Sequence, residues 1–338
     1  MPEGALARPP APSYTRGMRF AFVMDPIERI LPDKDTTFVF MLESGKRGHE
    51  VYYLRVDDLW LHHGVPHARA RRASVRRPTA EHPSHYQLFE EREARLDWFD
   101  AVFMRKDPPF DLTFFFVTHL LSLADPARTV VINHPRGIRE ANEKLYALNF
   151  PDVIPESLVT ADMRRLKGFM EELGGEMIVK PLDGAGGAGV FHLHQGDRNA
   201  NAILESATDT GRRLIMAQRY LPEIRGGDKR IIVLDGEPLG AVLRVPRDDE
   251  TRGNIHVGGT TVKAPLTARD LAICARLAPR LRADGLWFVG LDVIGDWLTE
   301  INVTSPTGIQ EINALDGVVL EAAVIDFVER KVAALAPR

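Results

Sequence analysis

The 338-residue chain contains one cysteine, Cys274, so no intrachain disulfide can form, which fits a reducing compartment. No apolar run approaches the length of a membrane span. Neither charge sign dominates: 43 Lys and Arg face 47 Asp and Glu, which excludes a global pull towards nucleic acid. The pattern G-x-x-x-x-G-K-[ST] is absent, which removes the P-loop reading. G-x-S-x-G is absent too, which removes a nucleophile elbow. There is no internal repeat and no heptad run. Residues 1–17, rich in Pro and Ala, lack the apolar centre of a signal peptide and read as a disordered extension, with folding expected from Met18, an alternative start.

What remains is an ordinary soluble composition, 44% hydrophobic and 27% charged, in a chain long enough for two or three packed units. From Met18 the apolar runs "MRFAFVMD", "VYYLRVDDLW", "FDAVFMRKD" and "TVVINHP" predict strands. Between them, "DTTFVFMLESGKRGHE", closed by Gly45 and Gly48, and "DLTFFFVTHLLSLA" predict helices. The basic run His67–Pro78 reads as a solvated loop. Alternating strands and helices spell a small open α/β domain over 18–140, whose ligands belong beyond the C-terminal strand ends. "MRKDPPFD" falls there, and presents Arg105 and Lys106 either to a ligand or as incidental charges of a turn. Further on, Arg139–Phe150 and Thr160–Gly175 predict helices, and "DGEP" between apolar runs predicts a β-hairpin. A helix is expected from about Thr267 to Asp284, and "RDDETRGNIHVGGTT", poor in apolar residues, reads as a long mobile loop.

Two stretches carry chemistry. "VKPLDGAGGAGVFHL" contains a literal G-x-G-x-x-G at Gly184, Gly186 and Gly189, but strand spacing rather than helix spacing follows the glycines. A dinucleotide fingerprint needs that helix, so the stretch reads as a hairpin, either a mobile surface turn or a loop whose N–H groups fold over phosphates beside Lys180. In "GLDVIGDWLTEINVTSP", Glu300 and Asn302 share one strand face, and a three-residue loop Gly295-Asp296-Trp297 would set Asp292 opposite Glu300 on that face. Two carboxylates and an amide oxygen suit hard Mg²⁺ rather than zinc. Ser305 and Thr307 follow, as carboxylate binders, caps or turn residues. His192 and His194 form an H-x-H pair read as two exposed histidines.

Taken in order, "VMDP", "MRKDPPFD", "NEK", "VKPLDGAGGAG", "MAQRYLPEI", "GDKRIIVLDGEP", "ETRGN" and "GLDVIGDWLTEINVTSPTGI" resemble the bacterial glutathione synthetases of the ATP-grasp superfamily, from about Met18 to at least Gln310. The resemblance implies an α/β chain with an ATP-grasp fold over 141–338, preceded by the small α/β domain. Within it, a lid would cover about 141–216 and a metal and nucleotide part about 217–338. It implies ATP-dependent ligation of γ-glutamylcysteine to glycine through an acyl phosphate, with ATP as substrate and Mg²⁺, or Mn²⁺ as the alternative, on Asp292, Glu300 and Asn302. Lys144 and Lys180 would hold phosphates under the loop of Gly184, Gly186 and Gly187; Gln218, Tyr220 and Leu221 would meet adenine and Asp228 the ribose. Arg230, Arg244 and Arg252 would steady the transferring group, and Arg105, Lys106, Ser305 and Thr307 would meet substrate. It further implies small-molecule substrates, no nucleic-acid or membrane partner, a cytoplasmic location and a homo-oligomer, a tetramer. Two features depart from the family's pattern: Gln310 stands where an arginine is usual, removing a cation near the acceptor, and residues 67–78 carry an Arg-rich insertion. The competing readings are an ATP-grasp ligase with another acceptor amine and a nicotinamide-dependent oxidoreductase based on the literal glycine pattern.

Overall fold

The structure, a computed structural model, describes residues 17–184, 186–246 and 260–335. Three sheets form along the chain. The first comprises β1 (Arg19–Val23), β2 (Glu50–Leu54), β3 (Leu59–His62), β4 (Val65–Val75), β5 (Tyr86–Arg95), β6 (Ala101–Met104) and β7 (Val130–Ile132), flanked by α1 (Thr36–Lys46), α2 (Leu112–Leu121) and α3 (Pro135–Glu140). Its order is β3-β4-β2-β1-β6-β7, with β5 on β4, and β2, β1, β6 and β7 run parallel. The second contains β8 (Ser157–Thr160), β9 (Glu176–Pro181), β10 (Phe191–His194) and β11 (Ile215–Arg219), with α4 (Met163–Glu172) and α5 (Ala200–Ala207). The third contains β12 (Asp228–Leu234), β13 (Glu237–Val245), β14 (Thr260–Lys263), β15 (Phe288–Ile294) and β16 (Trp297–Asn302), with α6 (Ala268–Ala283), α7 (Ile309–Asp316) and α8 (Leu320–Ala333).

Local chemistry explains most boundaries. Asp35 caps α1 by accepting the Phe38 N–H at 2.6 Å. The helix runs through Gly45 rather than closing there, and Gly48, at φ +82°, turns the chain into β2. "VYYLRVDDLW" divides into β2 and β3 around a short 3-10 turn at Val56–Asp58.

The expected helix over Arg139–Phe150 is corrected: α3 stops at Glu140, and only a 3-10 turn, Tyr146–Asn149, follows. Asn142 is the cause. Its Oδ1 accepts from the N–H groups of Lys144 and Leu145, and its Nδ2 donates to the Leu182 carbonyl, so a side chain replaces the helical bonds.

Most of the basic run, residues 67–75, is not a loop either; Arg76, Arg77 and Pro78 follow the strand. It lies in β4, where Ala68, Ala70 and Ala73 turn inward while Arg69, Arg71 and Arg72 face solvent, a period of two broken by one bulge. β5 supplies the opposite charges: Arg69 pairs in register with Glu93 and Arg71 with Glu91. This ladder of alternate charges covers the exposed face of the β4–β5 arm, which β2 and β3 join to the rest of the sheet.

The first and third sheets share continuous apolar clusters, with Phe40 and Phe288 edge-to-face at 5.2 Å. The second sheet has its own small core around Leu166, Met177, Val179, Leu193, Leu204 and Ile215. Asn133, just after β7, couples the first sheet to the third: its Nδ2 donates to the carbonyls of Phe288 (2.7 Å) and Val303 (3.0 Å), and its Oδ1 accepts the Phe288 N–H at 2.7 Å. At the far side His49 and Arg47 bind Glu329 of α8 at 2.7 and 3.1 Å.

Asn133→Ala leaves three buried backbone groups without this partner and is expected to lower unfolding stability by about 2 to 3 kcal/mol. Arg71→Ala, which removes an exposed pair, should change it by less than about 0.5 kcal/mol. Denaturant midpoints of the two variants distinguish them.

Candidate active site

The third sheet builds a cross-strand row of charge. Register sets Arg230 on β12 opposite Asp292 on β15, and Asp292 opposite Glu300 on β16. Asp228, two residues before Arg230 and therefore on its face, lies opposite Arg244 of β13. Asp292 reaches that face by a route other than the expected three-residue loop. Ile294 pairs with Trp297 across a two-residue turn, Gly295-Asp296, and a bulge that takes up Thr299 restores the alignment of Asp292 with Glu300. Asn302 completes the face, its Nδ2 3.1 Å from Asp292 Oδ2.

Asp228, Arg230, Arg244 and Asp292 are buried and mutually paired, with Glu300 and Asn302 half-buried beside them. Arg230 grips Asp292 bidentately, Nε to Oδ1 at 2.5 Å and Nη2 to Oδ2 at 3.0 Å, and donates through Nη1 to the Thr307 carbonyl. Arg244 bonds to Asp228 and lies 3.1 Å from Asp292 Oδ2. Burial pushes the Asp292 carboxyl up, but Arg230 and Arg244 outweigh it and hold it well below the usual carboxylate range. Lys144 Nζ bridges Glu300 (3.0 Å) and the Gly184 carbonyl (2.6 Å). Lys180 Nζ contacts Gln218 Oε1 (3.0 Å) and the Thr299 carbonyl (3.2 Å). Glu143 anchors the turn after β16, accepting from the N–H groups of Val303 and Thr304 and from the Thr304 hydroxyl.

All of this faces one cavity of about 660 Å³ between the sheets. Its wall includes Lys144, Lys180, Gly184, Gly186, Gly187, Gln218, Tyr220, Leu221, Asp228, Arg230, Arg244, Asp292, Glu300, Asn302, Ser305 and Thr307, so most of the candidate residues come together. The glycine stretch joins β9 to β10 as an antiparallel hairpin. No helix follows it, which removes the ground for a dinucleotide fingerprint. Gly184 has a steric reason: a Cβ there would lie 2.6 Å from the Pro181 ring. Beside the loop, Ile178, Leu221, Ile224 and Ile294 make an apolar slot, and His192 stacks on Tyr220 with ring centroids 3.9 Å apart. His192 thus belongs to the cavity wall, while His194 turns to the Gln195 carbonyl.

Two candidates fall elsewhere, and a third is not among the described residues. Arg105 is buried behind the wall, donating to Thr37 Oγ1 at 3.1 Å and to the Pro306 carbonyl at 3.0 Å, so it supports the turn that carries Ser305 and Thr307 instead of facing the cavity. Lys106 does not line it either; its Nζ sits 3.0 Å from Asp25 and 2.7 Å from the Asp107 carbonyl. Arg252 lies outside the described residues, with most of the expected long loop. Gln310 also stays out of the cavity, its amide donating to the carbonyls of Pro32 and Asp35.

The sequence reading missed the wall formed by Asp25, Arg29, Lys34 and Asp35. It follows the C-terminal end of β1, where the strand-end rule that singled out "MRKDPPFD" applies equally. Glu311, at the start of α7, was missed as well; it lines the cavity with Oε2 buried and unpartnered, and burial pushes its carboxyl up.

Among the described residues no three His, Cys, Asp or Glu side chains gather as a metal cluster. The trio of Asp292, Glu300 and Asn302 has two carboxylates and an amide, a hard-oxygen set on one sheet face that fits an oxygen-seeking cation sharing its shell with phosphates. Also among the described residues, no helix is long and apolar enough to cross a membrane.

Burial, opposed by Glu300 and aided by Lys144, pulls the Lys180 ammonium down to about 8. Metal-free binding of a nucleotide polyphosphate should therefore weaken as pH rises through about 8, where the ammonium loses its proton. In Lys180→Arg the affinity should stay level between about pH 7 and about pH 9. Titration calorimetry across that range checks it, and an identical pH response in both proteins would contradict it.

Comparison with known proteins agrees with this geometry. The model of the prokaryotic glutathione synthetase N-terminal domain matches residues 18–139, and that of the prokaryotic glutathione synthetase ATP-grasp domain matches residues 143–317. The glutathione synthetase of Gloeobacter violaceus is 47% identical over 320 residues, covering 92% of this chain and 96% of that protein. That of Salmonella typhimurium is 44% identical over 317 residues, covering 94% and 99%. Among solved structures, the D-cycloserine synthetase DcsG superposes with a TM-score of 0.64 at 16% identity, over 93% of this chain and 99% of that one, a likeness of fold. The ATP-grasp ligase PsnB, complexed with minimal precursor, Mg and ADP, gives 0.59 at 17% identity, over 93% and 98%. With both family models matched in order and relatives this similar over nearly the whole chain, the protein belongs to the prokaryotic glutathione synthetase family and has its ATP-grasp fold.

Proposed function

We propose that the cavity joins γ-glutamylcysteine to glycine at the expense of ATP, giving glutathione, ADP and phosphate. The observation that carries this reading is the cross-strand row Arg230–Asp292–Glu300 with Arg244, facing Lys144, Lys180 and a glycine hairpin across one cavity. Ligation must bring a polyphosphate and a carboxylate together, so positioned cations are the first requirement. Lys144 and Lys180 hold the phosphates, with Gly184, Gly186 and Gly187 closing over them through backbone N–H groups. Gln218, Tyr220 and Leu221 take the adenine in the apolar slot, and Asp228 the ribose. Asp292, Glu300 and Asn302 hold a divalent cation, Mg²⁺ with Mn²⁺ as the alternative, which when bound neutralises phosphate charge.

Arg230 and Arg244 face the transferring phosphoryl group. The dipeptide carboxylate oxygen bonds to the γ-phosphorus as the bond to ADP breaks, giving an acyl phosphate. The glycine nitrogen then bonds to the acyl carbon, phosphate leaves with the C–O electron pair, and the amine loses a proton. The two arginines stabilise charge in both steps, and Ser305 and Thr307 hold substrate through hydroxyl and N–H groups. In this reading residues 18–140 contribute the substrate wall, about 141–216 the lid and about 217–338 the metal and nucleotide part. The small-molecule substrates and the buried Cys274 suit a cytoplasmic enzyme. Exposed Leu112 and Phe116 on α2, 72% and 59% accessible, support a homo-oligomer, for which we propose a tetramer.

The test is ADP release with ATP and Mg²⁺, omitting γ-glutamylcysteine or glycine in turn, with product mass measured. Release that needs both and yields glutathione is expected; full release without glycine would reopen the acceptor. Glu300→Gln should lower kcat at least about a hundredfold with the melting temperature retained, and near-normal turnover would remove Glu300 from the metal set.

A further inference from the structure

The Arg-rich insertion and Gln310, two features the ligase reading does not use, meet in space. The tip of the β4–β5 arm folds back over the segment after β1. Arg77 Nη1 donates to the Pro32 carbonyl at 2.8 Å and reaches Asp33 Oδ1 at 3.4 Å, while its Nη2 donates to Gln310 Oε1 at 2.6 Å. Gln310 Nε2 in turn donates to the carbonyls of Pro32 (3.0 Å) and Asp35 (2.6 Å). The Arg77 guanidinium lies 5.3 Å from the Phe38 ring centre, and His85, across the tip, bonds to the Ile27 carbonyl at 2.7 Å. Three tethers from the arm and α7 thus fall on one short segment.

That segment forms a whole wall of the cavity, and its Arg29 and Lys34 differ from the other cations there. Lys144, Arg230 and Arg244 are paired with carboxylates of the nucleotide face, Arg219 with Glu156, and Lys180 is held by Gln218 Oε1 and the Thr299 carbonyl. Among the described residues neither Arg29 nor Lys34 has a carboxylate within salt-bridge distance, Lys34 acting on Glu311 only at longer range, and both line the cavity. Arg77 and Gln310 do not line it; they act on its wall from behind.

We propose that Arg29 and Lys34 receive the carboxylate of the dipeptide remote from the reacting one, and that Arg77, held on Gln310, is a positioning residue that fixes the Pro32–Asp35 turn so that Lys34 faces the substrate. The inference rests on the ligase reading. It makes the inserted arm part of donor recognition, and it makes Gln310 a clamp on the donor wall with no contact to the acceptor. Two flexible cations on a loose turn would lose entropy on binding; a turn tied through the Pro32 and Asp35 carbonyls, with the preceding segment tied at Ile27, is pre-organised.

The test is a steady-state comparison of wild type, Lys34→Ala, Arg77→Ala and the double variant, with γ-glutamylcysteine, glycine and ATP varied separately. Arg77→Ala is expected to raise KM for γ-glutamylcysteine about tenfold, with KM for ATP, kcat and melting temperature near wild type. Lys34→Ala should raise the same KM by at least as much. The double variant should match Lys34→Ala, because both act through one contact. An unchanged KM for the dipeptide in Arg77→Ala, equal rises for dipeptide and ATP, or additive effects in the double variant would each overturn the proposal. Normal wild-type turnover with such variants rejects this inference alone, whereas a wild type that makes no glutathione rejects the ligase reading with it.

Discussion

Asp292 sits buried between two guanidiniums, gripped at both oxygens by Arg230 and approached by Arg244, and the geometry of the site follows from that arrangement. A buried ion cluster is a poor stability device, because desolvation offsets most of the attraction, and an apolar row would hold these strands as well. The cluster makes sense as a pre-organised charge surface. In the proposed reaction its carboxylates would exchange arginine for a cation, and its arginines would exchange carboxylate for phosphate. Removing one member alone would leave a buried charge unpaired, which couples the integrity of the sheet face to the chemistry it supports.

Register does the assembly. Arg230, Asp292 and Glu300 lie side by side only because three strands pair in one alignment, and a slip of one residue would turn any of them to the other face. The bulge at Thr299 is therefore structural and functional at once: it realigns β16 on β15, and it leaves the Thr299 carbonyl within reach of Lys180. The second sheet, with its separate small core, brings Lys180 and the glycine hairpin against this face. The first sheet delivers the remaining wall from the C-terminal end of β1, and Arg105, after β6, braces it from behind.

Much of this was legible in the residues. The apolar strand runs, the strand-glycine-strand order of the hairpin and the shared face of Glu300 and Asn302 are local patterns of period two, and these survive folding. The charge run at residues 67–78 was misread because attention to net charge hid the Ala/Arg alternation, and because its stabilising partner, the Glu-rich β5, lies some twenty residues on. The helix over Arg139–Phe150 failed on one side-chain amide, Asn142, which captures backbone donors that propensity assigns to a helix. The alignment of Asp292 with Glu300 was anticipated but its cause was not, since a bulge and a longer loop give the same face. Arg105 was placed correctly at a strand end, yet strand position does not tell whether a long side chain turns to the cavity or behind it.

The most direct test of the account is anomalous diffraction from crystals grown with ADP and Mn²⁺. The account predicts a manganese peak against Asp292, Glu300 and Asn302, with the ADP phosphates at Lys144 and Lys180 and the base beside Tyr220 and Leu221. Manganese elsewhere, with Asp292 still enclosed by both arginines and ADP outside the glycine hairpin, would contradict it.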